Sequence, residues 1–267
     1  AQESRGLGDV YKRQMQQGQN GITTKKYFTV TVTAATLELA QQKLAAKELY
    51  MRSCFQKIGS NIEKLKANER IRIIADIFRG VNQEIRPISS SEFLRGAEKS
   101  LCCPDYFEFK KDYFMYNDKF ARMVYLKHLP SSLVDDMLKD LCETSLPIVV
   151  TVNIAPVEPS EAIKVVKRQL TAMRSNKMQK EKKASQHGVY SDVISDDLKQ
   201  SLAEAEELLN DLQSKNQKMF LLNLVVMVTG TSFDELDNNT DKIEAVFRKH
   251  VCTTSRANFQ QEDAMAS

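Results

Sequence analysis

The sequence predicts an α+β protein whose mixed open sheets are built from split βαβ units of the ferredoxin-like plan, with a long helical hairpin inserted. Two observations lead to this prediction. Short runs rich in β-branched residues alternate with longer segments of helical periodicity along the chain. Hydrophobic residues make up 42% of the 267 positions and charged residues 27%, which is typical of a globular protein with a substantial core.

The N-terminal residues are set apart from this fold. The run Ser4–Gln14 resembles a translated sequencing adapter. Residues 1–14 are therefore predicted to be foreign to the native protein, like a cloning scar. Residues 15–26 begin with a Gln-rich stretch and are predicted to be a disordered N-terminus. Residues 27–267 are predicted to form the folded domain, with an optional division into sub-units at about 27–110 and 111–267.

The first predicted elements are a strand, a long helix, a short strand and a second helix. Tyr27–Thr33 alternates aromatic or valine residues with threonine, which predicts a strand. Apolar residues then recur every seven positions on one face of a long helix, at Leu37, Leu44, Met51 and Ile58. A short strand is predicted at Ile62–Leu65, followed by a helix that Asn68 caps and whose apolar face holds Ile71, Ile74, Ala75 and Phe78.

The middle of the chain predicts a loop, a hairpin, a helix and a buried strand. Pro87 and a serine cluster mark Asn82–Gly96 as a loop. Asn117-Asp118 is typical of a hairpin turn between two β-rich runs. The other predicted elements here are strands at Tyr106–Phe109, Tyr113–Tyr116, Phe120–Leu126 and Pro147–Ile154, with a helix opening at Pro130-Ser131 before the last strand.

The C-terminal part predicts the helical hairpin and a final βαβ unit. Ser160 is predicted to cap the first helix of the hairpin. Ser232 and Glu235 have the spacing of a capping box, for a later helix that ends near His250. The strands of this last unit are predicted at Lys218–Val228, with Gly230 as its break, and at Val251–Ala257.

The two helices of the hairpin carry opposite charge. From Glu161 to Lys183 eight basic residues stand against two acidic ones, a net charge of +6. From Asp192 to Asp211 seven acidic residues stand against Lys199, a net charge of −6. Two such helices would attract each other along their length if they are antiparallel, which indicates an assembly feature rather than a catalytic one.

The overall charge and the cysteines restrict the function class. A formal net charge of +3 is too small to indicate a nucleic-acid binder by itself. The longest apolar run, Met219–Val228, is far shorter than the roughly 20 residues of a membrane-spanning helix. An odd number of cysteines without framework spacing argues for a reducing compartment. The five are therefore predicted to be small apolar fillers: Cys54, Cys102, Cys103, Cys142 and Cys252.

No motif of nucleotide or metal chemistry occurs in the sequence. It has no Gly-x-x-x-x-Gly-Lys-Ser/Thr phosphate-binding loop, and the nearest imitation, Gly230-Thr231-Ser232, lacks the lysine and is typical of a helix cap. The three histidines, His128, His187 and His250, lie far apart in the sequence. We therefore assign no catalytic, cofactor-binding or metal-ligating residue, although an enzyme site assembled by tertiary contacts stays open as an alternative.

The lysine-rich helix is the candidate binding surface. Its functional interpretation is contact with nucleic acid or with anionic lipid head groups. The favoured alternative is a solvated face neutralised by the acidic helix, because the compensating charge is so close in the sequence. In addition, no aromatic residue for base stacking lies in this helix. The candidate contact residues are Lys164, Lys167, Arg168, Arg174, Lys177, Lys180, Lys182 and Lys183.

Five stretches of the sequence resemble one protein family. They are Tyr27–Val32, Asp118–Leu126, Glu161–Arg168, Leu208–Leu222 and Phe259–Glu262. In their order and spacing they resemble the N-terminal region of the large conjugal-transfer ATPase of type IV secretion systems, in the form carried by conjugative elements of Gram-positive gut bacteria. The resemblance covers nearly all of Tyr27–Ser267.

The resemblance implies a non-catalytic domain. In that family a RecA-like motor domain follows this region, so ATP, Mg²⁺ and the hydrolysis that powers DNA or protein transfer are expected beyond Ser267. The resemblance implies that the N-terminal region helps to build an oligomer, commonly a hexamer, and docks the ATPase on inner-membrane components of the secretion channel. It implies a cytoplasmic location, peripheral to the inner face of the cell membrane. It carries no catalytic residue over to this chain.

Overall fold

A computed structural model describes residues 24–80, 98–130, 132–133, 136–186, 195–215 and 217–267. The predictions for residues 1–14, for most of 15–26, for Asn82–Gly96, for Ser131 and for His187 lie outside these described residues. The helices are α1 (Leu37–Lys57), α2 (Ala67–Phe78), α3 (Glu98–Cys102), α4 (Asp136–Glu143), α5 (Pro159–Gln186), α6 (Asp196–Ser214), α7 (Phe233–Lys249) and α8 (Gln261–Ala266). The strands are β1 (Phe107–Phe109), β2 (Phe114–Tyr116), β3 (Lys119–His128), β4 (Ile148–Pro156), β5 (Phe220–Gly230) and β6 (Thr253–Arg256).

The predicted α+β class is confirmed, because the described chain combines helices with an antiparallel open sheet. The sheet has six strands in the order β1-β2-β3-β5-β4, and β6 also pairs with β3. The strand β5 therefore lies between β3 and β4, and α4 connects β3 to β4 along the chain. In the same way β3 lies between β5 and β6, and α7 connects β5 to β6. Each of these is a split βαβ unit, and the hairpin of α5 and α6 is inserted between them.

The hairpin of β2 and β3 forms where the sequence predicts it. Residues Phe114–Tyr116 of β2 pair with Lys119–Ala121 of β3, and Asn117 makes the turn with φ 48°. Asn is one of the few residues besides Gly that tolerate this left-handed conformation, which is why the turn was recognisable. The Asn117 side chain also accepts a hydrogen bond from the backbone N–H of Asp105 at 3.0 Å, which ties the turn to the segment before β1.

The chain divides into two compact units, and the division falls within β4 and β5. The first unit comprises Ala1–Val149 and Val226–Ser267, and the second comprises Val150–Val225. In the first unit, α7 buries one stripe of side chains at Leu236, Ile243 and Phe247 and lies against β3. A separate small cluster forms where Ile71 and Ala75 of α2 meet Cys102.

The second unit is organised by its own small core. Ala162 and Val166 of α5 pack with Leu212 of α6, and Val157 and Met219 close the cluster at the base of the hairpin. The backbone N–H of Val157 donates to the carbonyl of Met219 at 2.9 Å, so the two strands leading into and out of the hairpin are held together there. The hairpin is therefore rooted by apolar contacts and by one backbone hydrogen bond.

Two predicted strands are wrong. Tyr27–Thr33 and Ile62–Leu65 are not strands in the structure. Tyr27–Thr33 has the right residue pattern, but among the described residues no neighbouring strand pairs with it. Residue alternation favours an extended backbone, whereas a strand also requires a ladder partner that local sequence does not reveal.

Two predicted helix caps are replaced by neighbouring carboxylates. Asn68 lies inside α2, and the Glu69 carboxylate instead accepts a hydrogen bond from the backbone N–H of Lys66 at 2.5 Å. Ser160 lies inside α5, and the Glu158 carboxylate accepts from the backbone N–H groups of Ser160 at 2.8 Å and Glu161 at 3.2 Å. A carboxylate satisfies the unpaired N–H groups of a first helical turn as well as a hydroxyl does, and it also favours the positive end of the helix dipole.

One of the two hydrogen bonds of the capping box predicted for α7 is confirmed. The Ser232 hydroxyl accepts from the backbone N–H of Glu235 at 3.2 Å. The Glu235 carboxylate does not return to Ser232 but accepts from the hydroxyl and the backbone N–H of Thr231, which lowers its pKa. Gly230 is required just before this turn, because a Cβ there would lie 2.7 Å from the backbone nitrogen of Leu236.

The cysteine prediction is correct for Cys102 and Cys252, which are buried, and wrong for Cys103 and Cys142, which are exposed. All five cysteines are free thiols, and Cys54 is half-buried. Burial raises the pKa of the Cys252 thiol, which lies 3.7 Å from the Met137 sulfur. Cys252 is therefore a protonated apolar filler rather than a nucleophile.

We expect Phe247→Ala to destabilise the protein by about 3–5 kcal/mol, because the fully buried ring would leave a cavity under α7. The matched control is Phe259→Ala, whose ring is 79% exposed and contacts Lys111, and which should cost less than about 1 kcal/mol. Urea unfolding followed by circular dichroism measures both free energies. Equal losses in the two variants would contradict the placement of this core.

Candidate functional site

The eight basic candidate residues all lie on α5. Leu212 of α6 meets the start of α5 at Ala162 and Val166, whereas Glu206, earlier in α6, meets Arg174, later in α5. The two helices are therefore antiparallel, the arrangement in which their opposite charges would attract. Buried side chains recur on α5 at Ala162, Val166 and Leu170, so the apolar stripe faces α6 and the basic residues occupy the remaining surface.

The predicted neutralisation between the two helices is observed at one position. Arg174 and Glu206 form an ion pair of 2.7 Å, and it is the single ion pair that joins α5 to α6 within the described residues. Both side chains are more than half exposed, so this pair contributes little to stability. Apolar contact along the stripe, and not charge, therefore accounts for the pairing of the helices.

Two of the other basic residues pair within α5 itself. Lys164 lies 2.7 Å from Glu161, and the hydrogen bond and charge of that carboxylate raise the pKa of the lysine. Lys177 is half-buried and lies 4.0 Å from Glu181. No described acidic side chain pairs with the remaining five, which are exposed: Lys167, Arg168, Lys180, Lys182 and Lys183.

The end of α5 concentrates three of these unpaired charges. Lys180, Lys182 and Lys183 lie within one turn, and we call them the basic tip. From Met178 to the end of the helix, every side chain that the structure describes is exposed, and Met178 itself is 68% exposed. The basic tip is thus a solvated cationic surface beside one exposed apolar side chain, Met178. It is a second candidate binding surface, more narrowly defined than the whole helix.

The helix α1 is a candidate surface of a different kind. It has 21 residues and none of them is buried. Leu37, Leu44 and Tyr50 are exposed, with Leu37 at 70%, although the heptad spacing predicted that Leu37 and Leu44 would face a core. A helix is normally held by burying such a stripe, and the described residues leave this one largely exposed.

A buried arginine that the sequence analysis did not single out organises the first unit. Arg122 on β3 is 0% exposed. Its guanidinium donates to the Asp237 carboxylate at 2.5 Å and to the Thr240 hydroxyl at 3.2 Å, both on α7. It also donates to the carbonyl of Asp112 at 2.9 Å and lies 3.3 Å from the Asp112 carboxylate. One residue therefore connects the β1–β2 turn, β3 and α7.

A second arginine extends this network along α7. Arg256 on β6 contacts Asp241 at 3.0 Å and Glu244 at 2.9 Å, and lies 3.9 Å from Asp237. The hydrogen bond from Arg256 to Glu244, followed by the nearby carboxylate charges, raises the pKa of the arginine. A signal was present in the sequence: Arg122 lies between Phe120 and Val124 on the same face of a predicted strand, and a charge among apolar residues requires partners.

The two described histidines, His128 and His250, have different surroundings. His250 lies 2.8 Å from Asp140, which Lys249 also contacts at 2.6 Å, and His128 lies exposed at the end of β3. The hydrogen bonds from Lys249 and then from His250 lower the pKa of the Asp140 carboxylate. No group of three potential metal ligands is found in the described part of the chain. An open depression of about 470 Å³ between α7 and β6 is lined mainly by polar and charged side chains.

Among the described helices, none is both long enough and apolar enough to cross a membrane. A comparison of the sequence with protein-family models found no match, and a comparison with curated proteins found none either. The two exposed surfaces described above, namely the apolar face of α1 and the basic tip, are the candidate sites for a partner.

We expect Asp237→Asn to destabilise the protein by about 2 kcal/mol, because buried Arg122 would keep a single carboxylate partner, Asp112. Asp237 is 44% exposed, which places the loss below that of a fully buried pair. Asp234→Asn on the same helix is the control and should cost less than about 1 kcal/mol. Chemical denaturation at neutral pH measures both, and an unaffected Asp237→Asn variant would show that Arg122 does not depend on this carboxylate.

Proposed function

We propose that this chain is a non-catalytic assembly and docking domain of a type IV secretion or conjugative transfer ATPase. In this role it joins its own copies into an oligomer and attaches the ATPase to membrane components of the transfer channel. Hydrolysis of ATP belongs to a motor domain of the parent protein. The proposal combines the resemblance of the five sequence stretches with the surfaces that the fold leaves uncovered.

The observation that carries the proposal is the exposed apolar surface of α1. This 21-residue helix buries no side chain in the described fold, yet it keeps leucines at heptad spacing. A surface of that kind is stabilised by burial against another protein, at roughly 25 cal/mol for each Å² of apolar area. The proposed docking role gives this surface a use, whereas a small-molecule enzyme would not require it.

Expression of the chain in donor cells that carry a matching conjugative element should lower transfer by about tenfold, because excess domain occupies docking sites by mass action. Leu44→Glu should abolish the inhibition, since a charge would enter the apolar contact. The control is Gln42→Glu, which adds the same charge on another side of α1 and should inhibit as the unchanged chain does. Transfer frequency and the level of each folded variant are measured together.

Two outcomes would overturn this proposal. The first is unchanged transfer frequency in the presence of abundant, folded chain. The second is ATP hydrolysis by the purified chain above that of a heat-inactivated control, because the proposal places all nucleotide chemistry in another domain.

The second candidate is a nucleic-acid or anionic-membrane binding module that acts through Lys164–Lys183. The observation in its favour is the basic tip, whose three lysines have no ion pair with a described residue. A cationic surface attracts phosphate groups of either source and releases their counterions, so its binding weakens as salt increases.

For this candidate we expect the triple variant Lys180→Glu, Lys182→Glu and Lys183→Glu to weaken binding and to reduce the slope of log affinity against log salt by about 3 for duplex DNA. Separate titrations with duplex DNA and with phosphatidylserine vesicles identify the source of the phosphate. The control variant Lys26→Glu, Lys47→Glu and Lys57→Glu changes the net charge equally and should bind normally. Absence of binding to both probes at low salt would eliminate this candidate.

A further inference from the structure

The outer edge of β4 has no neighbouring strand among the described residues, and the strand ends at Pro156. β4 ends the strand order of the sheet and, among the described residues, pairs with β5 alone. The strand contains no charged residue between Ile148 and Pro156. Natural proteins usually protect such edges with charges, bulges, prolines or covering loops, because an exposed apolar edge recruits other strands.

The register shows which backbone groups are free to pair. The Val157 N–H donates to Met219 and the Pro147 carbonyl accepts from Thr229, so odd-numbered residues of β4 direct their backbone groups toward β5. The N–H and carbonyl groups of Val150, Val152 and Ile154 therefore point to the outer edge. The Ile154 side chain is 63% exposed, so the face of the sheet is uncovered at that end of the strand.

The chain also contains a segment that has the residue pattern of a strand and joins no sheet. Tyr27–Thr33 has the alternation of a strand and belongs to no ladder of the described residues. One polar contact of its backbone is observed, from the Lys43 side chain to the Thr33 carbonyl at 3.0 Å. Phe28 contacts Phe55 of α1 with ring centroids 4.9 Å apart. Part of the apolar face of the segment is thus covered, whereas no described strand pairs with its backbone.

The segment and the edge are complementary. On β4, Val150, Val152 and Ile154 alternate with Thr151 and Asn153, and on the segment, Phe28 and the valines alternate with threonines. Pairing the two would continue an apolar face on one side of the sheet and a threonine-containing face on the other. Neither strand brings a charge into the ladder.

We propose that Tyr27–Thr33 of one copy adds as a strand to the outer edge of β4 in a second copy of this chain. The backbone hydrogen bonds supply the affinity and the alternating side chains set the register. This inference deepens the assembly role proposed above and rests on it, and it assigns that role to a defined donor segment and acceptor edge.

The donor variant is Val30→Pro with Thr31→Pro, which removes an N–H group in either possible register. The acceptor variant is Val152→Pro, which removes an outward N–H and leaves the bonds to β5 intact, as prolines on edge strands do. The control is Lys25→Pro with Lys26→Pro, which places two prolines in the same segment just before the alternating run. Circular dichroism verifies that each variant is folded.

Light scattering of the purified chain at about 100 μM should show particles larger than the 30.4 kDa monomer, because strand addition between copies follows mass action. The control should behave in the same way, and the donor and acceptor variants should each be monomeric. A mixture of the donor and acceptor variants should form a one-to-one heterodimer, since one intact donor then meets one intact edge.

A monomeric unchanged chain would overturn the proposal, and so would association that persists in the donor variant. Failure of the two variants to combine would also overturn it, because it would show that the segment and the edge are not partners. These results are distinguishable from failure of the docking role, since the inhibition of transfer and its loss in Leu44→Glu are measured separately. A segment that pairs within its own copy would leave the chain monomeric.

Discussion

The buried charge of Arg122 constrains how the first unit is put together. A guanidinium inside a protein costs several kcal/mol unless carboxylates and hydrogen-bond acceptors surround it, so Asp112, Asp237 and Thr240 must arrive at one place. Those partners belong to the β1–β2 turn and to α7. The position of α7 over β3 is thereby specified by polar contacts as well as by its buried apolar stripe, which alone would tolerate sliding.

The second unit is held by a different balance of forces. Its helices carry strong and opposite charge, yet the pair that joins them within the described chain is the exposed Arg174–Glu206 contact. Solvent screens such a pair, so the apolar stripe from Ala162 to Leu170 supplies the adhesion. Charge that is not used for pairing remains at the basic tip, where it is available to an anionic partner.

The surfaces proposed for function share one property: each is a secondary-structure element whose ordinary partner is absent from the described fold. The helix α1 has an apolar face without a core, the segment before it has a strand pattern without a ladder, and β4 has an edge without a neighbour. Elements of this kind gain stability from burial or from backbone pairing, and both become available when copies or other proteins bind. Assembly and docking follow from that property without any catalytic group.

The sequence by itself determined the α+β class, the hairpin at Asn117 and the helices α1, α2, α5, α6 and α7, because periodicity and turn residues are local signals. It did not determine ladder partners, so Tyr27–Thr33 was predicted as a strand that the sheet does not contain. The role of Arg122 and the absence of a core beneath α1 were decided by tertiary structure alone. Two of the three partners of Arg122 lie more than 100 positions away in the sequence, and α1 buries no side chain in the described fold. Local sequence carries no information about contacts over such distances.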